Sequence, residues 1–435
     1  MRSAATGANL LALRSHNTAL VLDLLRAAGA QGISRLELAE RTGLTPQAVS
    51  KITARLREDG LAAEAGRRAS TGGKPRTVLR LVPEAAHAVG VHVDRDEVRT
   101  VLADLDGTVV GERRRPLDLG DPADRVVEGV AAEVEALVAQ VLGGAGESTS
   151  PAAGAGPRGG ARLGPGAGAL LPDSGSGAGT FPDSGPGPGV LLAAGPGEGA
   201  LPGSGPRAGA LPAAGSLLGV GVALPGPLDH VRGVLHRVTG FPQWDGHPLR
   251  DALARRLGVP VVVDKDTNAA ALGLAVAGEG GSFAYLHLGT GLGAGLVIGG
   301  HVHRGPRTGA GEFGHQVIQL DGPPCGCGDR GCIEALCLAA VERGEAGEAA
   351  RVLGAGAANL VGLLDIDLVL LGGRTVAAAP DAFRAGVAAV LGARARREGL
   401  PARAVPVRIA PGGARGVAEG AAQLLLAPLF GRGEA

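Results

Sequence analysis

Between Gly143 and Ser216 the chain offers almost nothing from which a core could be built. The stretch is mostly Gly, Ala, Pro and Ser, with imperfect repeats LPDSG and FPDSG and a GALLP echoed twice as GALP. Such a composition cannot bury enough apolar surface to offset the entropy of ordering it, so a disordered insertion is expected over 143–216. Ordered structure must come from the flanks, and 435 residues are too many for one core, so two to four domains are expected.

No run of 18 residues is uninterruptedly apolar, and the opening MRSAATGANLLALRSHNTAL lacks the apolar region and cleavage site of a secretory signal. The cytoplasm is therefore expected, where clustered cysteines are metal ligands or catalytic groups more often than disulfides. Arginine outnumbers lysine 39 to 3, a bias of GC-rich coding that carries no function by itself. Charge is unevenly placed: residues 1–82 hold 13 Lys/Arg against 6 Asp/Glu, and the rest holds 29 against 36. A basic head on an acidic body suits nucleic acid. A membrane surface would call for an amphipathic basic helix with aromatic anchors, and none is present.

Residues 1–82 read as a winged helix-turn-helix. In the first helix Leu20, Val21, Leu24, Leu25 and Ala28 recur at helical spacing. The second opens at Ser34 with Glu37 three positions on, a capping box, and stops at Gly43. Thr45 followed by Pro46 starts a third helix that ends by Gly60, with Val49, Ile52 and Leu56 facing inward. Thr45, Gln47, Ser50, Lys51 and Arg55 then fall near the start of its outer face, where amide, hydroxyl and cationic side chains reach base edges or phosphates of double-stranded DNA. Two short apolar runs around a basic turn follow as the wing, with Arg67, Arg68, Lys74 and Arg76 as phosphate or minor-groove contacts.

From Val89 the pattern becomes a meander (AVGVHV, EVRTVLADL, GTVVGERRRPL), then a helix over ADRVVEGVAAEVEALVAQVL. Beyond the insertion, strands and helices alternate with Gly-rich turns at strand ends, which suits an α/β fold with a cleft. CGCGDRGC, residues 325–332, supplies three thiols, Cys325, Cys327 and Cys332, and a tetrahedral zinc site needs a fourth ligand. His301, His303 and His315 are all candidates on spacing. Cys337 falls on the apolar face of the next helix and reads as core.

GVALPGPLD, VDKDTNAAALG, GTGLGAGLVIGG, GAGEFGH, CGCGDRGCIE and LVLLGGR appear in the order and spacing of the ROK family of bacterial repressors and sugar kinases, and the chain resembles a ROK transcriptional regulator. The resemblance implies a two-lobe actin-like fold (RNase H-like, sugar kinase-type) behind the winged helix: lobe 1 over 83–265, lobe 2 over 266–435, and a final helix returning to lobe 1. It also implies a homodimer or homotetramer and a structural zinc held by His315, Cys325, Cys327 and Cys332. Asp266 matches the family's catalytic base, and Glu312, His315 and Glu334 match its sugar contacts.

Three departures bear on activity. Lys265 replaces an asparagine that contacts sugar, and reads either as half of an internal ion pair closing the old hydroxyl site or as a cation for an acidic or phosphorylated sugar. Gly240 replaces an asparagine before Trp244. In the phosphate loop Asp-x-Gly-Gly-Thr, His92 stands for the aspartate, Asp94 and Arg95 for the glycines and Asp96 for the threonine. Phosphates need close backbone approach, and added carboxylates repel them. The expectation is a DNA-binding regulator, a repressor in sign, that answers a sugar or sugar derivative without catalysis. The alternative is an ATP-dependent hexose kinase retaining a DNA-binding head.

Overall fold

The computed structural model describes residues 16–68, 76–143 and 216–432. The insertion falls outside the described residues, as do Lys74 and the side chains of Arg67 and Arg68.

In the head, helices His16–Ala28, Arg35–Thr42 and Pro46–Glu58 accompany a three-stranded sheet ordered Ile33–Ser34, Arg76–Leu81, Ala62–Arg68. Both halves of the Ser34/Glu37 capping box form, and the Thr45 hydroxyl accepts the Ala48 amide with Pro46 at the first helical position. The apolar stripes are rotated from the expected ones. Ala19, Val21, Leu22 and Leu25 are buried on the first helix, leaving Leu20, Leu24 and Ala28 half-covered. On the third, Thr53 is buried beside Val49 and Leu56, while Ile52 is only partly so. The Thr53 hydroxyl tolerates burial because it donates to the Val49 carbonyl at 2.8 Å. The first helix is turned because it packs beyond the head as well: Leu22 and Leu25 share one core with Leu426, Leu429 and Phe430.

The body repeats one succession twice. One sheet runs Val261–Lys265, Ser216–Leu224, Ala86–Val93, Glu97–Asp104, Val109–Pro116; the other runs Val407–Ile409, Leu368–Gly372, Phe283–Leu288, Leu292–Ile298, His301–Val302. In each, an antiparallel meander is extended beside its first strand by two parallel strands. Parallel neighbours need crossovers, and helices precede these strands: Ala123–Leu142 and Leu249–Leu257 in the first lobe, Ala346–Leu364 and Pro380–Arg397 in the second.

The final helix, Gly416–Leu426, lies on strands Ala86–Val93 and Ser216–Leu224 and on helix Asp266–Val276. Two strand glycines permit this approach. A Cβ on Gly90 would overlap the Ala418 carbonyl oxygen, and one on Gly221 the Ala421 carbonyl oxygen. The helix start borders the cleft, and its far end and the turn after it join the core of the head. Arg26 of the first helix stacks on Phe430 at 4.7 Å, and Arg432 meets Asp23 at 3.1 Å. Among the described residues no helix is long and apolar enough to cross a membrane.

Candidate functional site

The third head helix leaves Thr45, Gln47, Ser50, Lys51 and Arg55 exposed, as its buried stripe of Val49, Thr53 and Leu56 requires. Arg55 is loosely paired with Asp59 at 3.9 Å. Arg76 is exposed at the start of the second wing strand, opposite Arg68 in the pairing register.

In the cleft, strand Val261–Lys265 ends where helix Asp266–Val276 begins, so Lys265 and Asp266 sit at a strand C-terminus, the usual ligand position of an α/β sheet. Buried Asp264 braces this corner: it accepts the Lys265 amide at 2.7 Å, the Asn268 amide group at 2.9 Å and Arg304 at 2.7 Å. Asp266 accepts the Thr267 amide at 2.6 Å. Glu334, in the first turn of helix Ile333–Glu342, accepts the Leu292 amide at 2.7 Å and so ties that helix to the Gly-rich hairpin.

Lys265 is paired, but not with its neighbour. Its side chain is 3% exposed, and its ammonium donates to Glu312 at 3.0 Å and to the Ala310 carbonyl at 2.5 Å. Gly226 makes room for its stem, since a Cβ there would stand 2.7 Å from Lys265 Cδ. A buried ammonium needs such a partner, and the loop 310–312, not Asp266, provides it. Gly240 has φ +87°, a backbone conformation that an asparagine adopts only at a cost.

His315 Nδ1 and the sulfurs of Cys325, Cys327 and Cys332 all lie within 4.8 Å of one another, while His301 and His303 are not part of the group. Cys325 is 3.7 Å from His315, and Cys327 is 3.7 Å from Cys332. Tetrahedral bonds of about 2.3 Å place sulfur ligands about 3.8 Å apart, so the set has the right size. Burial, then the neighbouring thiols, push Cys332 up to about 12, the behaviour of clustered sulfurs without a compensating cation. The cluster can hold a metal ion. Cys337 is fully buried, with its thiol on the Ala349 carbonyl at 3.5 Å.

On the other side of the cleft His92 is buried against His287, ring centroids 6.3 Å apart, and burial drives its titration below the ordinary histidine value. Asp94 accepts the Thr290 hydroxyl at 3.2 Å and its neighbour's amide, that of Arg95, at 2.7 Å. Asp96 takes both hydrogen bonds from Arg374, at 2.8 and 3.0 Å. Arg95 stacks on Phe241 at 5.3 Å. Arg374 was not singled out from the sequence; the signal was there, a cation directly after the Gly-Gly turn of LVLLGGR.

These groups border two cavities. One of about 80 Å³ is lined by Asp94, Arg95, Lys265, Asp266, Glu312, His315 and Glu334 among others. Another of about 540 Å³ lies between Arg374, the start of the final helix and Arg26 of the head.

Known proteins share this organisation. The ROK family profile matches residues 209–344, and a winged helix-turn-helix DNA-binding profile matches 18–62. The xylose repressor of Bacillus subtilis is 25% identical over 306 residues, covering 69% of this chain and 61% of that protein. The chain thus spans about three fifths of the length of the xylose repressors it matches. The glucokinase of Thermotoga maritima is 41% identical over a shorter 128 residues, covering 28% of this chain and 40% of the kinase. A crystal structure of a ROK family transcriptional regulator, a homologue of the E. coli MLC protein, superposes with TM-score 0.67 over 97% of both chains at 18% identity, a likeness of fold.

Proposed function

We propose that this chain, which carries a ROK-family domain behind a winged helix-turn-helix, is a DNA-binding repressor gated by a neutral sugar and without phosphotransfer activity. The reading divides it into a DNA-binding head (1–82), a first lobe (83–265) and a second lobe (266–435). The observation that carries it is the final helix: its start borders the cleft, its end shares a core with the first head helix. A sugar that binds one lobe arrangement better than another would shift the head through that helix and change operator affinity in a homodimer or homotetramer, working in the cytoplasm where DNA is.

Gln47 and Ser50 read base edges, and Thr45, Lys51, Arg55 and Arg76 hold phosphates, with Arg67, Arg68 and Lys74 of the wing in the same role. The sugar is neutral because the small cavity is lined by four carboxylates against two cations, and Lys265 is already neutralised by Glu312. Sugar acids and sugar phosphates are disfavoured there. Asp266, Glu334 and the Glu312 oxygen not engaged by Lys265 accept its hydroxyl groups. His315 borders the cavity, but as a metal ligand its part is to place the loop.

The metal is zinc, and with one histidine and three thiolates the site is closed, hence structural. When bound, zinc supplies the charge that lets three thiolates stand together; the protein's own gain is a fixed loop from Glu312 to Glu334.

Phosphotransfer is lost because the phosphate loop is filled. A neutral buried His92 cannot stand in for a carboxylate, Asp94 and Asp96 repel phosphate, and Arg374, which faces the loop from the other lobe, is held by Asp96. Asp266 is then a base without a reaction. The 128-residue likeness to a glucokinase favours the alternative of a sugar kinase with a DNA-binding head. Incubation with ATP and a panel of pentoses and hexoses decides it: no sugar-dependent ADP release is expected, and release above background sinks the regulator-only reading.

A further inference from the structure

Arg374 stands on the turn after strand Leu368–Gly372, placed there by Gly373 at φ +95°. Its guanidinium crosses the cleft to both oxygens of Asp96, at 2.8 and 3.0 Å, and approaches Asp94 to 3.9 Å. A second strut runs beside it, the Thr290 hydroxyl donating to Asp94 at 3.2 Å. The Thr375 hydroxyl donates to the Gly289 carbonyl at 2.9 Å, which couples the two second-lobe turns. The first-lobe loop 94–96 is therefore fastened to both turns facing it. Asp94 borders both cavities, and Arg374 borders the larger one.

The sugar-side cavity in this arrangement measures about 80 Å³. That is well below the roughly 300–1,000 Å³ of pockets that enclose small ligands. A sugar enters only when the lobes part, and whatever holds them together opposes its binding. We propose that Arg374, with Asp94 and Asp96, is an inter-lobe latch that keeps the cleft closed against the effector and sets the sugar concentration at which the head responds. This deepens the sugar-gated reading and rests on it. The Arg374 and Asp96 side chains are 43% and 60% exposed, and one guanidinium nitrogen serves both carboxylate oxygens, so the pair is weak enough for a small ligand to break, yet it is supported by the Thr290 contact to Asp94.

The test uses the full chain, as wild type, Arg374→Ala and Asp96→Asn. D-xylose and D-glucose are titrated by calorimetry at fixed salt, and hydrogen exchange of segments 94–97 and 289–291 is followed without sugar or DNA. Both variants should bind the preferred sugar roughly two- to fivefold more tightly than wild type, and both segments should exchange faster. Asp96 is exposed enough that Asp96→Asn keeps the fold even if Arg374→Ala does not. Unchanged exchange and affinity in Asp96→Asn overturns the latch. So does weaker sugar binding in the variants, because the contact would then help to hold the sugar. Faster exchange with no sugar bound by any form supports the latch and defeats the sugar-gated reading instead.

Discussion

On one side of the cleft Asp266, Glu312 and Glu334 keep their carboxylates around a small cavity, each braced by a backbone amide or by Lys265. On the other, His92, Asp94, Arg95 and Asp96 fill the turn proposed to be a closed phosphate loop, where Asp94 accepts the Arg95 amide and Asp94 and Asp96 meet the opposite lobe. The difference shows how unequal the demands of recognition and reaction are. Holding a sugar takes a few placed acceptors. Moving a phosphoryl group takes close backbone approach and positive charge free to meet the phosphates, and on the proposed reading the side chains of 94–96 deny the first while Asp96 engages Arg374.

The largest expected effect comes from the proposed metal site. Cys332→Ser, or chelation, should release the loop between Glu312 and Glu334 and weaken sugar binding about tenfold or more, while sugar-free DNA affinity stays near wild type; calorimetry and anisotropy read the two. Sugar binding that survives chelation would mean the loop is held by packing alone. Emptying the other side is the converse test. Asp94→Gly, Arg95→Gly and Asp96→Thr together should turn undetectable binding of a non-hydrolysable ATP analogue into measurable binding; an unmodified chain that binds it equally well would erase the contrast.

A smaller effect is expected at Lys265→Asn, which frees Glu312 and the space beside Gly226 and should tighten neutral-sugar binding several-fold. Equal affinities would show that the ion pair does not guard the site. The smallest effect is in pH. His92 titrates below its unfolded value because it is buried neutral, so the unfolded chain takes up the proton first, and stability should fall as pH drops below about 6.5. Melting temperatures of wild type and His92→Asn should converge in acid; parallel curves would place the acid sensitivity elsewhere.

Much of this was legible in the sequence where causes are local. The Ser34/Glu37 box and the Thr45-Pro46 start depend on residues three apart, and both form as spacing suggests. Partners far along the chain were not. Nothing near Lys265 indicates that its counter-ion is Glu312, 47 positions on, and nothing near Asp96 points to Arg374. The first-helix stripe was displaced for the same reason, since Leu22 is buried by residues from the other end of the chain. Periodicity reports that a face is covered, and only the fold says by what.

The most direct test of the account is fluorescence anisotropy of the purified chain on its own upstream DNA, at fixed salt because phosphate contacts dominate affinity, with D-xylose, D-glucose and their phosphates added in turn. Tight binding is expected, shifted by one neutral sugar and not by the phosphorylated sugars. Tight binding that no sugar moves would contradict it, leaving a DNA-binding head on a cleft that controls nothing.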